Sequence, residues 1–227
     1  MPRLLIDGSS TAYGCGGGSG GGWADRLKQE MVRRSDAFDR TAASTYNFSQ
    51  PCRNINEITD QLPDNLMRHK GYSIGNIVLL QVGMSESRRL KSQPATTMTL
   101  LEFDRQLSRA EDLCYGADFL PIFVGIPPFG PDPIKRFGAF GDDYYPQDRQ
   151  DFADAVRAHS ADSGTAYVDV ANPLLAVFGT ISPMLARDRL HINEPAHQLL
   201  YERLLPIVDI AISSCSDYYR TRDRRAG

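Results

Sequence analysis

No two of the four cysteines are spaced as C-x-x-C. Cys15, Cys52, Cys114 and Cys215 stand far apart in a chain of 227 residues. That spacing fits neither a dithiol redox motif nor a disulfide-stapled secreted domain, so buried free thiols are expected. No apolar run approaches the length that crosses a bilayer, and Leu4, Leu5 and Ile6 are followed at once by Asp7, too short a run for a secretory leader. A cytoplasmic location without membrane association is the expectation. Charge of neither sign dominates: 25 Lys and Arg stand against 28 Asp and Glu, a net of −3, which gives no electrostatic footing for nucleic acid. The glycine tract at Gly16–Gly22 is not followed by Lys-Ser/Thr, which argues against a phosphate-cradling loop. The pair Asp142-Asp143 has no histidine or third carboxylate beside it and reads as solvated rather than metal-binding. No cofactor is implied, and oligomeric state is not encoded in any pattern of this sequence.

The chain does contain regularly alternating apolar segments. Strand-length runs occur at Leu4–Asp7, Ala42–Phe48, Asn76–Val82, Asp118–Gly125 and Thr165–Val170. Four of them are nearly continuous in apolar residues, as parallel strands covered on both faces must be; Ala42–Phe48 is the weakest. Between them apolar residues recur by threes and fours: Trp23, Leu27 and Met31; Ile55, Ile58, Leu62 and Leu66; Leu100, Phe103, Leu107 and Ala110; Phe152 and Val156; Leu200, Leu204 and Val208. Pro146 stands before the fourth of these helices, and Asn193-Glu194-Pro195 opens the last with cap chemistry. Strand alternating with helix predicts a doubly wound, flavodoxin-like three-layer α/β sandwich around a five-stranded parallel sheet. One domain over residues 1–213 is expected, followed by a basic, flexible tail over 214–227. The segment Pro127–Tyr145 is a long aromatic-rich loop, and loops of that length are usually functional.

In such sheets ligands bind beyond the carboxyl ends of the strands. The first strand ends on Asp7-Gly8-Ser9-Ser10-Thr11, where glycine permits a sharp turn and presents the next residue's hydroxyl and amide. A serine nucleophile needs a base. Of the four histidines, His69 and His159 read as surface residues on polar helix faces. His191 follows Asp188 by three residues just before the last helix, so the carboxylate can accept a hydrogen bond from its Nδ1–H, fix the tautomer and leave Nε2 free as a base. Cys15, without a histidine near it in sequence, reads as a small buried residue rather than a nucleophile, and Trp23 reads as core.

This order of motifs resembles the SGNH (GDSL-type) hydrolase superfamily from residue 4 to about residue 205. Asp7-Gly8-Ser9-Ser10-Thr11 is similar to the first family block, with Ser9 at the nucleophile position. Asp188-Arg189-Leu190-His191-Ile192-Asn193 fits the last block, and His197 falls where the family has a packing histidine. Gln50-Pro51-Cys52 resembles the turn that ends on the oxyanion glycine, with Cys52 in its place. Val82-Gly83-Met84-Ser85-Glu86 sits where Gly-x-Asn-Asp is usual, with Ser85 at the asparagine position.

The resemblance implies a carboxylic-ester hydrolase for small acylated molecules, including acylated sugars. Ser9, His191 and Asp188 would form its triad, and Ser9, Cys52 and Ser85 would donate to the oxyanion. An acyltransferase using the same triad and a non-catalytic binding module on this scaffold are the alternatives. A cysteine can supply the same backbone N–H as glycine, but a positive φ at that turn would strain it. The long loop should overhang the crevice, with Phe129, Phe140 and Tyr144 as substrate-binding aromatics or, equally, as anchors of the loop.

Overall fold

Along the first and third strands, successive side chains enter two different cores. The computed structural model describes residues 1–70, 75–91, 93–138 and 141–226, the last dozen as backbone only. In β1 (Arg3–Gly8), Leu4 and Ile6 pack on one face of the sheet and Leu5 on the other. In β3 (Asn76–Gln81), Ile77 and Leu79 oppose Val78 and Leu80 in the same way. The two-residue period of a strand therefore needs apolar residues at every position here, which is why these runs read as continuous.

Helices cover both faces. α2 (Trp23–Asp36) and α7 (Glu194–Ala226) supply Trp23, Leu27, Met31, Leu200, Leu204 and Val208 to the first core. α3 (Ile55–His69), α4 (Leu100–Gly116) and α5 (Pro146–Ser163) supply Ile58, Leu62, Phe103, Leu107, Phe152 and Val156 to the second. With β2 (Ser44–Asn47), β4 (Phe119–Val124) and β7 (Ala166–Val168), the strands form one parallel sheet in the order β2-β1-β3-β4-β7. The expected α/β architecture with five parallel strands is thus present. Strand order reverses between β1 and β3, and the crevice of such a sheet opens there.

Three features differ from the sequence reading. The short helix α1 (Ser10–Tyr13) follows β1 directly, and α6 (Ala171–Phe178) follows β7. The segment after β4 is not a plain loop. It holds an antiparallel hairpin of β5 (Ile134–Phe137) and β6 (Asp142–Tyr144). Asp143 exchanges backbone hydrogen bonds of 2.8 and 2.9 Å with Arg89, which fastens the hairpin to the segment beyond β3. α7 opens with the Asn193 side chain accepting from the Ala196 N–H at 3.2 Å, the cap its sequence predicts, and its backbone continues through Ala226.

Candidate active site

Ser9 stands between the last residue of β1 and the first of α1, in extended conformation, and its carbonyl accepts from the Tyr13 N–H at 2.9 Å. Gly8 before it is a steric necessity. A Cβ there would lie 2.5 Å from the Gln81 carbonyl oxygen of β3, so only glycine lets the two strands close where the turn begins. Ser9 is buried, and among the described residues its hydroxyl makes no hydrogen bond.

Below the serine, Asp7 is buried, and its Oδ1 accepts from Arg53 Nη1 at 2.7 Å and from the Gly8 N–H at 2.9 Å. Burial raises its carboxyl to about 6, against the pull of Arg53. Arg53 in turn donates to the carbonyls of Phe48 and Glu57 and to Gln61 Oε1. One buried guanidinium thus ties the serine turn to the segment after β2 and to the first turns of α3.

That segment carries Cys52. Arg53 N–H donates to the Gln50 carbonyl at 3.3 Å, closing a β-turn with Pro51 and Cys52 at its centre, and Cys52 has φ +64°. Proline fixes a negative φ at the first central position, so a positive φ at the second makes this a type II turn, which favours glycine there. The condition for strain stated above is met. The turn's hydrogen bond uses the Arg53 amide, not the Cys52 amide, and the Gln50 N–H is anchored on the Gly8 carbonyl at 3.1 Å, beside Ser9. The Cys52 thiol is exposed, contrary to the expectation of buried cysteines, because it projects from a tight turn at the crevice; Cys15 is half-buried and Cys114 buried. Cys215 lies outside the residues with described side chains.

Ser85 is buried after β3, and Thr97 Oγ1 donates to its carbonyl at 3.1 Å. Its neighbour Glu86 is a residue whose role sequence reasoning missed. Fully enclosed, it accepts from the Gly83 N–H at 2.7 Å and from the Ile55 N–H, the first residue of α3, at 2.5 Å. Burial pushes its carboxyl up to about 7, with backbone N–H groups opposing. Two buried carboxylates therefore flank the Cys52 turn: Asp7 binds Arg53 at its end, and Glu86 binds the first amide of the helix that follows it. The only sequence signal was an acidic residue at the end of each apolar run.

Asp188 and His191 do meet. His191 Nδ1 lies 2.6 Å from Asp188 Oδ2, while Asp188 Oδ1 accepts the backbone N–H groups of Leu190 and His191 at 3.0 Å each. Burial works to raise the Asp188 carboxyl, but the hydrogen bonds from His191 and Leu190 outweigh it and hold it below the usual range. The turn is pressed onto the N-terminal segment: a Cβ on Gly16 would fall 2.1 Å from the Ile192 carbonyl oxygen. His197, fully buried, accepts from the Trp23 N–H at 3.2 Å and has Nε2 2.9 Å from the Cys15 carbonyl oxygen. These contacts hold the segment around His191 and the start of α7 against residues 15 and 16, beyond α1, and serine and imidazole make no hydrogen bond with each other in this structure.

Of the loop aromatics, Phe129 and Tyr144 are buried in the second core, and Phe140 lies outside the described residues. Among the described residues the loop aromatic that reaches the imidazole is Phe137, whose ring centroid is 5.9 Å from that of His191 in an edge-on contact. Two further readings are corrected. His159 is buried rather than on the surface, because Asp104 at 2.9 Å and Glu111 at 3.3 Å face its two nitrogens across α4 and α5. Asp142 is buried rather than solvated, paired with Arg88 at 3.1 Å. A cavity of about 550 Å³ opens beside Cys52, lined by Gln50, Arg53, Gln61, Arg88, Lys91 and Asp142 among others; neither Ser9 nor His191 lines it. Among the described residues no group of His, Cys, Asp and Glu could hold a metal ion, and no helix is long and apolar enough to cross a membrane.

Comparison with known proteins agrees with this fold. No curated protein matches the chain in sequence. Among solved structures, an esterase from Pseudoalteromonas sp. superposes with a TM-score of 0.64 at 15% identity, covering 92% of this chain and 100% of that one. A lipase/acylhydrolase from Enterococcus faecalis gives 0.68 at 13% identity, over 92% and 96%. A variant of an acetyl xylan esterase from Geobacillus stearothermophilus gives 0.67 at 15% identity, over 91% and 94%. At these identities the likeness establishes the fold. Residues 8–199 match the GDSL-like lipase/acylhydrolase family as a whole, so this chain is a hydrolase belonging to that family.

Proposed function

We propose that the protein is a serine esterase that cleaves small carboxylic esters through an acyl-enzyme. The observation that carries this reading is the 2.6 Å contact between Asp188 and His191 on a turn pressed against the segment that follows Ser9. With Asp188 holding Nδ1–H, the Nε2 lone pair takes the Ser9 proton as Oγ attacks the ester carbonyl. The amides of Ser9 and Cys52 and the Ser85 hydroxyl donate to the oxyanion. His191 then returns the proton to the departing alcohol. Water, activated by the same imidazole, releases the acid and restores the serine. In unliganded enzymes the serine–imidazole hydrogen bond is often long and tightens only with substrate in place.

The test is labelling by a fluorophosphonate, which phosphonylates an activated serine and needs no knowledge of the natural substrate. A related reagent is apt, since the Pseudoalteromonas esterase is described as inhibited by monoethylphosphonate. Labelling at Ser9, absent in Ser9→Ala and slowed in His191→Ala, is expected, together with hydrolysis of 4-nitrophenyl acetate. Folded protein that neither labels nor hydrolyses would make the chain a binding scaffold. Acyl transfer to an added alcohol faster than hydrolysis would make it an acyltransferase.

A further inference from the structure

The cavity beside Cys52 has a lining whose hydrogen-bonding capacity is unevenly used. Arg53 is spent: its terminal nitrogens serve Asp7, the carbonyls of Phe48 and Glu57, and Gln61. Glu57 is spent too, since its Oε2 accepts the Asn54 N–H and it sits in the first turn of α3, where the helix dipole offsets its charge. Arg88 and Asp142 pair with each other, but Arg88 Nε and Asp142 Oδ1 are both buried without a partner, as is Arg53 Nε. Lys91 is exposed and makes no ion pair or hydrogen bond with any described residue.

Outside these pairs and the buried Nε groups, the charged donors of the lining residues that hydrogen-bond to no described residue are the Lys91 ammonium and Arg88 Nη2. A carboxylate supplies two acceptor oxygens and the opposite charge. We infer that the cavity is an anion subsite, which binds a carboxylate carried by the substrate next to the ester whose oxyanion Cys52 would hold. This inference rests on the esterase reading for its place in catalysis, but not for the binding itself.

Two ester pairs test it, each a carboxylate against its methyl ester: 4-acetoxybenzoate, with the charge on the leaving group, and 4-nitrophenyl hemisuccinate, with the charge on the acyl group. In one pair the carboxylate should be preferred about tenfold in kcat/KM, and Lys91→Gln should shrink that ratio about two- to fivefold, the upper range of an exposed ion pair. Preference for the neutral member, or equality, in both pairs overturns the inference.

A second measurement does not depend on turnover. In Ser9→Ala protein, the Cys52 thiol is alkylated with iodoacetate and with iodoacetamide, and the modified peptide is quantified by mass spectrometry. Lys91→Gln should lower the ratio of the two rates about two- to fivefold at low salt, with the wild-type ratio falling as salt is added. A ratio that Lys91→Gln leaves unmoved overturns the inference. If no ester is cleaved while the alkylation ratio still follows Lys91, the anion subsite stands and the esterase reading falls.

Discussion

Replacing Cys52 by glycine should stabilise the protein without disabling it. A side chain in the left-handed region costs about 1–2 kcal/mol, and Cys52 sits there with φ +64° at the second central position of a Pro-initiated turn. Glycine removes that cost but adds roughly 0.4–1 kcal/mol of conformational freedom to the unfolded chain. The thiol is exposed, so little packing is forfeited. The net gain for Cys52→Gly is about 0.5–1 kcal/mol, or a rise in Tm of about 1–4 °C for a chain of this length.

Cys52→Val works the opposite way. A β-branched residue is a poor fit to positive φ, so the turn is driven toward a type I conformation, which rotates the Pro51–Cys52 peptide and swings the amide away from the oxyanion. Loss of one such donor costs about 100- to 1000-fold in kcat. Urea unfolding of the three proteins gives the stability order, and kcat on 4-nitrophenyl acetate gives the activity order; glycine first and valine last is expected in stability. A Cys52→Gly protein less stable than its parent by more than 1 kcal/mol, or a fully active Cys52→Val protein, would refute the assignment of this turn as a strained oxyanion donor.

Other consequences can be measured directly. Arg53→Met leaves Asp7 buried without its cation and should cost about 3–5 kcal/mol in urea unfolding; Asp7→Asn combined with it should recover part of that loss, and a fully additive double variant would deny the coupling. Glu86 has a folded-state carboxyl near 7, above its unfolded value near 4.5, so the folded protein binds the extra proton between those values. Its contribution is therefore full below about pH 4.5 and is lost as pH rises to 7, by roughly 3 kcal/mol. The stability of the parent relative to Glu86→Gln should fall across that window, and a pH-independent difference excludes the effect. Asp188→Asn should lower kcat by about 10⁴-fold by favouring the wrong imidazole tautomer, while leaving fluorophosphonate-accessible, folded protein; near-normal kcat would remove Asp188 from the triad.

The sheet was legible in sequence because β1, β3 and β4 are covered on both faces, so that their central apolar residues alternate between one core and the other. β2 was the weakest reading for a physical reason: it is an edge strand, half-buried at all four positions, and so carries neither a continuous nor an alternating pattern. The β5–β6 hairpin was not legible, since Ile134–Phe137 and Asp142–Tyr144 are largely polar and their position depends on backbone pairing with Arg89. At the candidate site, Asp188 and His191 could be paired from spacing alone because three residues of one turn separate them. Asp7 and Arg53 are 46 residues apart, and Glu86 reaches Ile55 over 31, so their partnerships arise only once strands β1 and β3 are neighbours. His159 was misread for the same reason: the groups that make its burial tolerable, Asp104 and Glu111, come from another helix.

The close approach of Gly16 to the Ile192 carbonyl has a bearing on how this protein comes into being. During synthesis Ser9, the proposed nucleophile, leaves the ribosome 182 residues before His191, the proposed acceptor of its proton. On that proposal the nascent polypeptide carries an idle alcohol until the later segment settles against the earlier one.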